Sequence, residues 1–335
     1  MRTTRNDELL IDLPEFDNLA PLRDRPTIYL DQNHWSTVTS AIHWPGHVSN
    51  ASELEAATQL IALAAAREIV LPMSAAHVSE TCKQVNLEKR YHRACTILKL
   101  SSGWQLRSAL RVRQLELHRA LCKRYHQPVA EFPPVITLDP EAIYSRKLFD
   151  VAPFNSDLPP DIQRMMHFLS CVSGLFDAML DEEHLPLPLN PGWARQFQQY
   201  AEFLRENPTG LETKRQRTLL KFIGDLGSEL ATAAMSASVT PQQMSHWTRN
   251  HCDQDLRSMP ALGLYREVIH EKLSDHNLRW RNNDLIDMMY LTTAVGYCDY
   301  VVAERSHASH IANALRRLER PIRVHRTIRS LVEAL

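Results

Sequence analysis

Five carboxylates stand at positions from which they could do chemistry together. Asp31 closes the run Ile28-Tyr-Leu, and Glu304 follows Val301-Val-Ala303. Both runs read as short buried strands, and in a parallel sheet ligands gather beyond the carboxyl ends of the strands. Glu80 falls in the second turn of a helix that starts just after a further β-leaning run, Glu68-Ile-Val-Leu-Pro72, so it can face the same rim. Asp284 and Asp287 are three positions apart, which places them on one side of a helix. Acids crowded on one rim repel each other unless a cation sits among them. Oxygen donors with no cysteine or histidine partner suit Mg2+ or Mn2+ better than Zn2+. Such a centre serves phosphodiester hydrolysis, one ion activating the attacking water and a second stabilising the leaving oxygen.

Each acid also has a bland use. Asp31 and Asp284 can cap the helices that follow them, and Glu80 and Glu304 can be ordinary surface residues. Asp287 interrupts a strongly apolar helix and is harder to dismiss. It is the joint order and spacing that points to a metal site. Other motifs carry less. His43 and His47 flank Pro45-Gly46 with no cysteine pair at zinc-finger spacing, and Glu267-x-x-His270 occurs once where a di-iron bundle needs two copies. His307 and His310 share a helix face near Glu304 and read as surface histidines.

The elements that must position these acids change character along the chain. The pattern predicts a strand at Thr27–Asp31, helices from about Trp35 and from about Ser52 to Arg67, and a strand at Glu68–Pro72. A helix from Ala75, with Ser74 as its N-cap, follows and continues with breaks to Tyr125. Proline-rich loops cover Pro128–Pro140 and Pro153–Pro160, and helices are expected over 161–183, 194–206, 212–237, 241–257 and 261–274. The end of the chain returns to alternation: a helix from Asn283, a strand at Tyr300–Ala303, a helix to about Leu318, a strand at Pro321–His325 and a helix over Thr327–Leu335. Two βα-alternating ends imply a parallel sheet covered by helices, and the middle is helical only.

Composition narrows the classes. With 335 residues the chain is long enough for two domains or one domain with a large insertion. It has only 9 glycines, and neither Gly-x-Gly-x-x-Gly nor Gly-Lys-Ser/Thr occurs, which excludes the usual glycine-cradled phosphate sites. The start, Met1-Arg-Thr-Thr-Arg-Asn-Asp-Glu8, lacks the apolar run of a signal peptide, and no stretch is apolar for the ~20 residues that span a bilayer. Six scattered cysteines without a Cys-x-x-Cys fit reduced core thiols, so a cytoplasmic protein without a membrane partner is expected. The net charge is −1, but residues 81–124 hold 11 basic and 2 acidic groups and residues 305–329 hold 7 and 1. Such basic segments inside a neutral chain are what a nucleic-acid surface needs, or else solvated helix faces.

Ile28-Tyr-Leu-Asp-Gln-Asn33 resembles the opening strand of PIN-domain nucleases, and Ser74-Ala-Ala-His-Val-Ser-Glu80 resembles their segment carrying the second acid. Asn283 to Glu304 resembles their third helix and fourth strand. The resemblance covers about 26–89 and 276–335. It implies an α/β fold class: a PIN-like three-layer α/β/α core with a short parallel sheet, interrupted by an all-helical insertion over 90–275. It further implies that Asp31, Glu80, Asp287 and Glu304 are catalytic. Asp31, Asp284, Asp287 and Glu304 would hold Mg2+ or Mn2+, and Asn33 would orient Asp31. Two departures stand out: Glu304 occupies a place usually held by Asp, and Tyr290 stands where His is common.

The expected function is a metal-dependent nuclease, an endoribonuclease or related phosphodiesterase, acting on RNA before single-stranded DNA. Lys83, Lys89, Arg90 and Arg93 beside Glu80, and Arg305, Arg316 and Arg317 after Glu304, would contact the phosphate backbone. Trp104, Trp193 and Trp247 read as core. The insertion would select the substrate or dock a partner protein. The alternatives are a catalytically silent module that binds nucleic acid or protein, and a toxin or phage-defence nuclease held by a cognate inhibitor.

Overall fold

The computed structural model describes residues 22, 25–129, 131–145, 157–181, 183, 191–275 and 277–335. The Met1–Glu8 start and residues 153–156 of the Pro153–Pro160 loop lie outside them. In the first part of the chain, β1 (Ile28–Leu30) leads into α1 (Gln32–His43), followed by α2 (Ala51–Ala65), α3 (Ala75–Cys82) and α4 (Leu87–Ser101). The middle holds β2 (Gln105–Leu106), α5 (Ala109–Arg124), β3 (Ile136–Thr137), α6 (Pro160–Leu180), α7 (Pro191–Glu206), α8 (Leu211–Asp225) and α9 (Gly227–Ser236). It continues through α10 (Pro241–Asn250), α11 (Cys252–Ser258) and α12 (Pro260–Ser274). The last part holds α13 (Asp284–Tyr297), β4 (Tyr300–Val302), α14 (Arg305–Arg317), β5 (Val324–His325) and α15 (Ile328–Val332).

The expected α/β class, with its PIN-like three-layer α/β/α core, is therefore corrected. Of the described residues 67% are helical, with a three-stranded parallel sheet in the order β1-β4-β5 and a separate antiparallel β2–β3 pair. The physical reason is strand length: the apolar runs supply two or three paired residues each, too few for a sheet to form a layer. The run Glu68–Pro72 illustrates it. Val70 bonds Pro26 O and Ile28 N and makes a single bridge to Thr27, and Pro72 then has no N–H with which to extend the ladder. Two long helical stretches are also broken, 212–237 between α8 and α9 and 241–257 between α10 and α11.

Helix starts follow local chemistry. Asp31, Asn50 and Asn86 accept backbone N–H groups at the starts of α1, α2 and α4. Thr240 and Gln243 form a reciprocal capping box on α10 with Pro241 in its first turn. Distant acids also serve helix starts: Glu116 of α5 accepts from Ala261 N and Leu262 N of α12, which has no local side-chain cap, and Glu53 of α2 accepts from Ile328 N of α15 beside its Thr327 cap.

Two cores result. One gathers β1, α1, α2, α4, α6 and α15 around Ile28, Leu30, Trp35 and Phe176. The other gathers α5 and α7–α14 around Phe197, Trp247, Tyr265 and Ile269. The boundary expected at 89/90 falls inside α4, whose Tyr91, Ala94 and Ile97 share the core of β1. Trp104 and Trp247 are core, and Trp193 stacks on Phe197. All six cysteines are thiols, and Cys95 alone is not fully buried. Among the described residues no helix is long and apolar enough to cross a membrane.

The second core depends on a close crossing of α13 over the start of α12. A Cβ on Gly296 would lie 2.9 Å from Pro260 C and 3.0 Å from Ala261 N, both backbone atoms. Gly296→Ala should therefore push the helices apart and destabilise the fold by about 1–3 kcal/mol. Urea unfolding checks this; a variant as stable as the parent would show that the crossing tolerates a methyl group.

Candidate functional site

β1 and β4 pair in parallel, Ile28 opposite Tyr300 and Leu30 opposite Val302. Asp31 N then donates to Val302 O at 2.9 Å, so the ends of both strands lie side by side, with Asp31 leaving one and Glu304 leaving the other two residues on. The register is fixed at the opposite end by Asp299. Its Oδ2 accepts from Thr27 N (2.9 Å) and Thr27 Oγ1 (2.8 Å), while Asp299 N donates to Thr27 Oγ1.

Glu80 reaches the same rim through His77. His77 Nε2–H donates to Leu30 O at 2.8 Å, and its Nδ1 accepts from Ser74 N at 3.1 Å, which fixes a neutral tautomer. The ring stacks on Tyr29 and is fully buried, which lowers its pKa to about 4. This one imidazole ties β1 to α3, one turn before Glu80. The sequence reading placed His77 on the helix without seeing its role.

Asp287 lies at the centre. Its carboxyl is pushed up to about 7, first by burial and then by the negative charges of Asp31, Glu80, Asp284 and Glu304. The other four acids singled out in the sequence thus all act electrostatically on Asp287. Their engagement differs. Asp31 caps α1 through Gln32 N. Asp284 is buried and bound by Lys272 Nζ and Arg281 N, so its charge is already answered. Glu80 pairs with Lys83 at 2.7 Å, and Glu304 is exposed and accepts from Asn33 Nδ2. Asn33 therefore positions Glu304, not Asp31 as expected. Among the described residues, no three His, Cys, Asp or Glu side chains are gathered tightly enough to hold one ion as they stand.

A cavity of about 590 Å3 opens beside the cluster, walled by Asp284, Asp287, Glu304, His307, Lys272 and the loop Asn277–Asn283. His307 is a site residue the sequence reading left at the surface: its Nε2 stands 3.7 Å from Asp287 Oδ2. Burial lowers its pKa while Asp31, Glu304 and Asp284 pull the other way. The signal was the three-residue spacing from Glu304 on one helix. His310, its neighbour on that face, is bound to Glu271. Tyr290 bonds Ser108, and burial pushes its hydroxyl up to about 12.

The basic residues expected to contact nucleic acid divide. Arg90 is a correction: it is buried and donates to Met179 O and Asp181 O, tying α4 to the end of α6. Arg317 is another, bonded to Glu267 and Glu271 as an interhelical ion pair. Arg93 is half-buried beside Glu80, with its Nε unpartnered. Lys83 is held by Glu80, and Arg316 donates to Asn313. Lys89 and Arg305 are exposed.

Asp287 gives a pH test. Its folded carboxyl titrates near 7, against about 3.9 in an unfolded chain. The folded state therefore binds more protons between these values, and its stability falls as pH rises from about 4 to above 7. Asp287→Asn should raise the melting temperature in EDTA at pH 8 and change it little at pH 4. A melting temperature lowered at pH 8, or shifted equally at both pH values, would contradict this electrostatic picture.

Comparison with models of protein families, with curated proteins and with solved structures gave no match, so the geometry of this acidic rim is the ground on which its function is argued.

Proposed function

We propose that this chain is a metal-dependent phosphodiesterase acting on nucleic acid, with RNA before DNA on the strength of the sequence resemblance. The observation that carries the reading is the state of Asp287, a carboxyl pushed up to about 7 first by burial and then by the charges of four other carboxylates. A fold that holds like charges together against their repulsion gains most when a cation joins them. The donors are oxygen throughout, which fits Mg2+ or Mn2+.

Asp31, Asp287 and Glu304 would hold the ion, and Asn33 would steady the Glu304 carboxylate. When bound, the ion would activate water and stabilise charge on the phosphate. Glu80 would orient the attacking water and take its proton, with Lys83 and Arg93 beside it. His307, which burial biases toward the neutral imidazole, would orient the departing oxygen beside Asp287, and that oxygen would take its proton from solvent. In that hydrolysis the water oxygen joins phosphorus as the P–O ester bond breaks. Asp284, neutralised by Lys272, acts as a positioning residue for the start of α13 and not as a ligand.

A silent binding module is the second reading. It is favoured by the engagement of Glu80 with Lys83 and of Glu304 with Asn33, which leaves no three acids gathered on one point. One assay separates the two. Purified protein is incubated with labelled RNA and single-stranded DNA in Mg2+, Mn2+ or EDTA. The proposal expects cleavage with metal, none with EDTA, and reduction to the EDTA background by Asp31→Asn or Asp287→Asn in folded protein. Undiminished cleavage in both variants would remove the metal site, and metal-independent binding without cleavage would establish the silent module.

A further inference from the structure

Two hollows meet at Glu304. The cavity beside Asp287 lies on the α13 side; an open groove of about 700 Å3 lies on the β1 side, along Asn33, His34, Arg305, Ser309 and Arg326. Glu304 and Ser306 line both. The carboxylate rim is thus a saddle between two concave surfaces, not the floor of a blind pocket.

The cations of the two hollows differ from the others nearby. Lys83, Lys272 and Arg317 already have carboxylate partners. Arg279 and Arg281 on the cavity side, and Arg305 on the groove side, are exposed and have no ion pair among the described residues. Arg326 is exposed and donates to the neutral Ser309 Oγ. Four guanidinium groups without a counter-charge therefore flank a crowded acid cluster, two on each side. Anionic groups spaced along a chain would satisfy them, and the acids between them would then face a phosphate. The groove wall also holds a buried polar atom without a partner. His34 is 8% exposed, its Nε2 donates to Arg326 O, and its Nδ1 has no partner.

We infer that a single nucleic-acid strand crosses the site through both hollows, its phosphates held by Arg279 and Arg281 on one side of the reacting bond and by Arg305 and Arg326 on the other. The inference rests on the phosphodiesterase reading and deepens it. A cavity of about 590 Å3 is the size of a small-ligand site and admits unpaired nucleotides, not a duplex. A path open at both ends requires no strand terminus, so internal bonds are reached. Neither Arg279 nor Arg281 lies in the basic segments that charge counting picked out; they belong to the loop between α12 and α13.

The test measures binding of a labelled single-stranded RNA of about 12 nucleotides to the full chain in EDTA, between roughly 50 and 200 mM salt. Arg279→Ala/Arg281→Ala and Arg305→Ala/Arg326→Ala should each weaken binding about tenfold. Each should also flatten the logarithmic salt slope by about 1.4, at about 0.7 per lost phosphate contact. The corresponding Lys pairs, which keep the charge, should retain the slope. With Mn2+ the wild type should cut a circular single-stranded RNA. If either Ala pair leaves affinity and slope unchanged, the two-sided path is wrong even where cleavage persists. If both pairs are needed for binding and no metal supports cleavage, the path stands and the phosphodiesterase reading falls.

Discussion

The parallel pairing of β1 with β4 is the constraint on which the rest of the structure depends. Three residues on each side, more than 270 positions apart in sequence, bring the two ends of the chain together. The loop-closure entropy of so distant a contact is substantial, and three paired residues offset little of it by themselves. Side chains complete the work. Asp299 clamps Thr27 at the start of the strands, and His77 holds Leu30 O at their end. Both strands are buried under the packing of Trp35, Leu60, Ile328 and Leu331. A slip of one residue would turn Ile28 and Leu30 out of that core and separate Asp31 from Glu304.

The helical mass has a matching electrostatic frame. Glu267, fully buried in α12, is bound by Arg266, by Arg215 from α8 and by Arg317 from α14. Glu116 gives its charge to the start of α12 and accepts from Tyr297 of α13. Each buried acid is thus met by cations or N–H donors, as burial of charge demands. Asp287 is the departure from this rule. Burial first, and then the like charges around it, push its carboxyl up to about 7, and the imidazole of His307 stands 3.7 Å from it. A half-buried carboxyl left facing like charges is the observation from which a cation at this rim is proposed.

The sequence made the site more legible than the architecture. The acids at strand ends, Asp31 and Glu304, could be read only jointly, from their order and spacing, since each alone has a capping or surface use and Asp31 does cap α1. Asp287 could be read because it breaks an apolar helix. The three-layer core is what the resemblance implies and the parallel sheet what βα alternation implies, and alternation records the order of elements but not the number of residues each strand can pair. Runs such as Glu68–Pro72 have strand composition yet are stopped by Pro72, so helix dominates. Charge counting marked the segments around Arg90 and Arg317 as basic, but whether an arginine faces solvent or a buried carbonyl depends on tertiary packing. For the same reason Arg279 and Arg281 were invisible: two arginines in a short loop gain meaning only when the loop is found to wall a cavity.

The measurement closest to the central claim is calorimetric titration of Mn2+ into the metal-free protein, in buffers of different ionisation enthalpy. If Asp287 is half protonated near pH 7 and a cation joins the cluster, binding should release about half a proton per chain at pH 7 and almost none at pH 9. The release should vanish with Asp287→Asn. Absence of binding heat in the wild type, or binding without proton release at pH 7, would contradict the account.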